Sequence, residues 1–310
     1  MDFALTDEQR GIVEAVAALC VKHAGPARAI DLAARDDYDF ALEAALANAG
    51  FSAVVLAEGG GVLEAVLVVE SAARAGAVAA VAAATLVVPA TAGRALAGPV
   101  ALADAGRPGL VRFGAHARTL LVCDGDAARV VPLEAGEAAA VRSSFGYPMG
   151  RIASGGPALG ESLGAGSGPR MRNVWRLALA AETVGTMSAA LDVTVEYVKQ
   201  RRQFGRAIGS FQAVQHRLAE CAVLVEGARW LTYEAAWKDA PAEAAALAAA
   251  HATAAAGRLF EETHQLSGAI GYTREHDLHV FSMRLQALRL ELTDVAGHRR
   301  AVAEARWLAR

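Results

Sequence analysis

Apolar residues return at three- and four-residue intervals through almost the whole second half of this 310-residue chain, and that rhythm leaves few folds open. Val184, Met187, Leu191, Val195 and Val198 share one face of a helix at 3.6 residues per turn. Similar patterns run over residues 211–237, 242–266 and 276–307, with short breaks at 204–210, Asp239-Ala240-Pro241 and 267–273. Four long helices joined by short turns hide their apolar faces against one another, so a four-helix bundle is expected.

The first half reads differently. Thr6 followed by Gln9 makes a capping-box pattern and starts a helix expected from Asp7 to His23. A second helical pattern covers Phe40 to Ala49, and Phe51 to Leu56 reads as a short extended link. From Val62 to about Ala84 the pattern is helical and so poor in charge that it should be buried. Gly59-Gly60-Gly61 lacks the following Lys-Ser or Lys-Thr of a phosphate loop and reads as a flexible helix entry. Between about Val100 and Gly168 the β-prone runs 110–113, 119–122 and 129–133 alternate with Gly, Asp and Pro. Residues 154–169, rich in Gly, Ser and Pro, read as a linker or mobile loop. The expected fold is mainly α: an N-terminal helical domain (1–95), a small truncated β domain (96–169) and a C-terminal four-helix bundle (170–310).

Charge and cysteine usage exclude several functions. Thirty Lys and Arg stand against 33 Asp and Glu, a net charge of -3 without a basic stripe, so nothing drives the chain toward nucleic acid. Cys20, Cys123 and Cys221 are too scattered for a disulfide framework or zinc site, which fits a reducing cytoplasm. The N-terminus lacks the basic-then-apolar order of a signal peptide. The alanine-rich stretch 77–90 falls short of the roughly 20 strongly apolar residues of a membrane span. His276 and His279 lack a third ligand group, so no metal is expected and Asp277 reads as a cap or first-turn acid. His216 and His251 read as ordinary helix residues.

One motif carries chemistry. Arg201, Gln203, Phe204, Gly205, Ile208 and Gln212 cluster where one long helical pattern hands over to the next. A planar guanidinium suits forked hydrogen bonds to phosphate oxygens, and glycine permits close backbone approach, so the cluster is equipped to hold a flat, phosphorylated cofactor. The plainer alternative is a capped helix junction with a solvated arginine.

The order of helical unit, β unit and bundle, with Arg-Arg-Gln-Phe-Gly-Arg-Ala-Ile-x-x-Phe-Gln after the first bundle helix and Gln-Leu-Ser-Gly-Ala-Ile-Gly-Tyr from Gln265, resembles the acyl-CoA dehydrogenase family. The segments Phe-Ala-Leu-Thr-Asp-Glu-Gln and Ala-Gly-Phe-Ser-Ala-Val-Val-Leu-Ala-Glu match it too. The resemblance implies FAD as cofactor: Arg201 on its diphosphate, Phe204 beside the nucleotide, Gln203 and Gln212 as polar neighbours, and Gln265, Gly268 and Ala269 at the second FAD segment. Ala269 departs from the family, which usually places glycine there.

The family also needs a glutamate to take a proton alpha to a thioester carbonyl while hydride leaves the beta carbon. Ungapped alignment puts Trp175 and Leu292 at the two positions that usually supply it, and neither is a base. Glu291, one residue away, is a weak candidate because one helical residue turns a side chain by about 100°; Asp294 is weaker. Arg176 and Trp175 are substrate-side candidates, with bundle packing as their alternative. The β unit has no tryptophan and matches none of the family's isoalloxazine contacts convincingly.

In family dimers the arginine, aromatic and glutamine segments reach the FAD held chiefly by the neighbouring subunit. The resemblance therefore implies an unlike partner subunit, as in the short α2β2 members of actinobacteria that act on CoA thioesters of steroid degradation intermediates. It implies an acyl-CoA substrate and an electron-transferring flavoprotein as acceptor. A non-redox structural, CoA-ligand-binding or hydratase-like subunit is the alternative, and a homodimer using Glu291 as base is a third.

Overall fold

The computed structural model describes residues 4–107, 109–134, 136–152 and 160–308. Helix α1 spans Asp7–His23, and both hydrogen bonds of the Thr6–Gln9 capping box form. Helices α2 (Pro26–Ala34), α3 (Phe40–Asn48), α4 (Val62–Arg74) and α5 (Val88–Ala92) follow. The expected link at Phe51–Leu56 is a 3-10 helix, whose Val54 is buried. The expected helix from Val62 to Ala84 ends at Arg74, because Gly76 takes a φ of 76° and turns the chain. A π-helical turn, Ala82–Val87, then leads into α5. Helix α2 was not anticipated, although Pro26 at its first turn is a start signal.

Among the described residues seven strands occupy the middle of the chain: β1 (Val100–Asp104), β2 (Leu110–Arg112), β3 (Thr119–Asp124), β4 (Ala127–Pro132), β5 (Ala138–Val141), β6 (Met149–Ile152) and β7 (Glu161–Ala165). They form two sheets, ordered β1-β3-β4-β7 and β2-β6-β5, with β1 parallel to β3. Of the linker expected at 154–169, residues 154–159 lie outside the described residues, whereas Glu161–Ala165 is a strand paired with β4.

Helix α6 (Ser167–Gln200) is the axis of the remainder and packs against α4, α7 (Gln212–Trp237), α8 (Ala242–Ser267) and α9 (Leu278–Leu288). Residues 177–190 are buried without interruption, so the helix lacks a polar face there. Thr183, Thr186, Ser188 and Thr194 satisfy their buried hydroxyls on carbonyls four residues earlier. Where α6 crosses α4, Gly185 faces backbone: a Cβ there would stand 2.2 Å from the Glu70 carbonyl oxygen. The single last helix expected over 276–307 is broken. α9 ends at Leu288, Leu292 takes a φ of 60°, and α10 (Val295–Ala303) restarts under a cap from Asp294 to Gly297 N–H.

Candidate functional site

The residues singled out in the sequence fall into two places, at opposite ends of α6. At its C-terminal end, Arg201 caps the helix and a two-strand hairpin follows, β8 (Arg202–Gln203) paired with β9 (Arg206–Ala207). Phe204 and Gly205 form its two-residue turn with φ values of 54° and 80°, as the twist of a tight hairpin demands. Positive φ is unusual for an aromatic residue. The turn holds the Phe204 ring 91% exposed, and its one ring contact is the edge of Phe211 at 6.2 Å. Arg206 lies over Phe211 at 3.9 Å.

Gln212 then opens α7. Arg217 Nε meets Glu262 Oε2 at 2.5 Å, which ties the start of α7 to the end of α8 and brings Gln265, Gly268 and Ala269 to the same end of the bundle. All three are exposed. Beneath them both ring nitrogens of His264 and the hydroxyl of Ser267 are buried with no partner. Burial pushes the His264 pKa down, which keeps the imidazole neutral. Exposed arginine, glutamines and an aromatic ring above unsatisfied buried polar atoms are a donor set and a surface that suit a nucleotide cofactor.

The second place is a cleft between the sheets and the bundle. A cavity of about 320 Å³ is lined by Leu102, Asp104, Arg107, Leu110, Arg112, Tyr147, Met149, Trp175, Leu290, Glu291 and Leu292 among others. Trp175 and Glu182 lie seven residues apart on α6 and so share a face, while Arg112 reaches them from β2. Arg112 makes two forks: Nη1 and Nη2 donate to Glu182 at 2.8 and 2.6 Å, while Nη2 also donates to Glu291 Oε1 at 3.0 Å and Nε stands 2.8 Å from Glu291 Oε2 as an ion pair. The Trp175 indole N–H donates to Glu291 Oε1 at 2.9 Å. Burial works against the Arg112 charge, but Glu182 and Glu291 outweigh it and hold its pKa well above the ordinary value. Burial raises the Glu182 pKa, and Arg112 offsets part of that rise. Tyr147 lies between two guanidinium groups, Arg112 at 4.9 Å and Arg284 at 4.8 Å from its ring centre.

Glu291 therefore sits at the cavity wall, but its position has a different cause from the helical one expected. It occupies a bend after α9, so the 100° helical offset does not apply. Oε1 accepts from both Arg112 Nη2 and the Trp175 indole and Oε2 lies 2.8 Å from Arg112 Nε, so the carboxylate is tied to the cleft wall by a cation and an N–H donor. A smaller void of about 20 Å³ lies deeper, beside Ala83, Val100, Phe113 and Glu182, and the Arg112 forks stand between it and the larger cavity. Trp175 lines the cavity; Arg176, one residue on, lies outside the lining set and donates to Asn173 at 3.3 Å. Burial, then Arg172, lowers its pKa.

Arg112, Glu182, Tyr147 and Arg284 were not anticipated. One signal existed: Glu182 is a lone acid inside the apolar run from Leu177 to Ala190, and a buried acid requires a cation. His276 packs on Tyr197 at 5.4 Å, and among the described residues no His, Cys, Asp and Glu group could hold a metal ion. Among them, too, no helix is long and apolar enough to cross a membrane, and the three cysteines are buried and free.

Comparison with known proteins adds the family. Residues 170–293 match the acyl-CoA dehydrogenase C-terminal domain. Acyl-CoA dehydrogenase IpdE2 of Mycobacterium tuberculosis is 42% identical over 118 residues, 37% of this chain and 36% of that protein. The match thus spans little more than a third of that relative's length. Among solved structures, the ChsE4-ChsE5 complex of Mycobacterium tuberculosis superposes with a TM-score of 0.82 at 22% identity, over 98% of both chains. A steroid ACAD variant, Tcur3481-Tcur3483, gives 0.81 at 24%, over 96% of this chain and 97% of that one. Residues 170–293 thus resemble the acyl-CoA dehydrogenase C-terminal domain, within a chain whose overall fold is that of glutaryl-CoA and butyryl-CoA dehydrogenase structures.

Proposed function

We propose that this chain is a subunit of an FAD-dependent acyl-CoA dehydrogenase that introduces an alpha,beta double bond into an acyl-CoA thioester, and that it serves a flavin lodged chiefly in an unlike partner. One distance supports this most directly. Trp175 and Arg201 lie 26 residues apart along one helix, which at 1.5 Å per residue separates them by about 39 Å. That exceeds the reach of a dinucleotide, so the Arg201 end and the Trp175 cleft of one chain cannot serve the same cofactor. Arg201 would pair with the diphosphate, Phe204 would pack beside the nucleotide, and Gln203, Gln212, Gln265, Gly268 and Ala269 would line its path. When bound, the flavin accepts the hydride leaving the substrate.

The partner supplies the proton acceptor, because Glu291 in this chain is held by Arg112 and Trp175. Trp175 closes the cleft on the substrate side, with Arg176 behind it. The three-part division at 95 and 169, a cytoplasmic setting, an α2β2 assembly and an electron-transferring flavoprotein as acceptor belong to the same proposal. So does a bulky, steroid-type acyl group, in keeping with the steroid ACAD neighbour Tcur3481-Tcur3483.

Co-expression with a longer homologue tests it. The expected result is a yellow complex that reduces an electron acceptor with an acyl-CoA, no flavin on this chain alone, and loss of the yellow colour when Arg201 is replaced by alanine. A solitary chain that retains stoichiometric flavin would overturn it. The occupied state of Glu291 favours one second reading, a subunit that binds a ligand without redox chemistry. A colourless, inactive complex would select that reading.

A further inference from the structure

We infer that the cleft cavity of this chain is a binding pocket for an uncharged, apolar small molecule, and that Arg112, through its two carboxylate partners, sets that preference. The cavity's volume of about 320 Å³ falls at the lower end of small-molecule sites. Leu102, Leu110, Val111, Phe145, Met149 and Leu290 supply most of its wall. Its inner ionic groups are already matched, and the Arg107 charge stands outside them at the solvent-exposed mouth. The Arg112 forks cover Glu182 and Glu291, Asp104 lies 3.9 Å from Arg172, and Arg107, exposed at the mouth, donates to the Leu292 carbonyl.

An incoming anion would have to displace a carboxylate from Arg112, and an incoming cation would have to take Glu291 from it. Either exchange strands a buried charge. A neutral ligand meets no such obstacle and gains by covering apolar wall. Trp175 and Tyr147 add flat surfaces, which favour a planar ring system. This pocket is separate from the flavin surface at the Arg201 end, so its occupancy and flavin retention by a complex are independent measurements.

The test compares two dyes on the full chain: an uncharged dimethylaminonaphthalene ketone and the anionic anilinonaphthalene sulfonate. The neutral dye is expected to bind once per chain and at least tenfold more tightly than the sulfonate. Leu110→Trp, at the lip, and Ala287→Phe, in the wall, fill the pocket and should each weaken the neutral dye at least tenfold. Glu291→Gln, with Glu182→Gln as a second variant, frees part of the Arg112 charge and should raise sulfonate affinity about tenfold. Equal binding of both dyes, neutral-dye binding unmoved by folded filling variants, or sulfonate affinity unmoved by both glutamine variants would overturn the inference.

Discussion

Arg112 and Glu291 are joined by an ion pair, Nε to Oε2 at 2.8 Å, and a hydrogen bond from Nη2 to Oε1 at 3.0 Å, across 179 residues of sequence. The same guanidinium grips Glu182 at 2.6 Å. Arg112→Leu leaves two buried carboxylates without their cation and should destabilise the chain by about 3–5 kcal/mol. Urea unfolding measures it. Arg112→Lys should rescue little, since an ammonium cannot fork onto two carboxylates.

Phe204 offers a prediction with opposite signs on two readouts. Its φ of 54° is easier for glycine than for phenylalanine, so Phe204→Gly should leave stability unchanged or raise it by up to about 1 kcal/mol. The same change removes the ring that the proposed flavin site uses. Thermal melting should hold or improve while the flavin absorbance of the complex falls; loss of both would assign the ring to the fold.

Gly185 tests the helix crossing. An added methyl would overlap the Glu70 carbonyl oxygen at 2.2 Å and crowd the Arg74 nitrogen at 2.9 Å, both backbone atoms that cannot rotate away. Gly185→Ala should cost about 1–3 kcal/mol in spite of alanine's better helix propensity. Denaturant midpoints compare the two chains.

His298 makes stability depend on pH. It is fully buried on α10 with no partner for either ring nitrogen, and burial, followed by the nearby Arg176, pushes its pKa down to about 4. Asp294 acts the other way, and Arg107 adds to the depression. Above pH of about 6.5 the ring is neutral whether folded or not, so it contributes no pH slope. As pH falls from about 6.5 toward 4 the unfolded chain takes up a proton that the folded chain refuses, and about 3 kcal/mol is lost. His298→Asn should flatten that part of the curve in unfolding experiments across this range.

What the sequence revealed was local, and what it hid was long-range. The Thr6–Gln9 capping box fixed the start of the first helix because all its atoms lie within one turn. Phe51–Leu56 was misread because Val54 and Val55 favour extension locally, whereas packing against the π-helical turn at Ala82–Val87 winds them into a 3-10 helix. The break at Leu292 was invisible, since a leucine at positive φ carries no local signal. The Arg201–Gln212 cluster stood out because its residues are contiguous and open to solvent. By contrast, the network of Arg112, Glu182, Glu291 and Trp175 is assembled from β2, α6 and the bend after α9. Glu182, an acid inside an apolar run, hinted at it, and the family resemblance named Trp175 and Glu291 without showing that they meet.

The double fork of Arg112 also acts as a historical ratchet. Substituting Arg112 abandons two carboxylates in the interior, whereas either glutamate can change while the other still holds the guanidinium. Removing the last ion pair then requires two positions to change together. Lineages that keep either carboxylate should therefore keep the arginine as well.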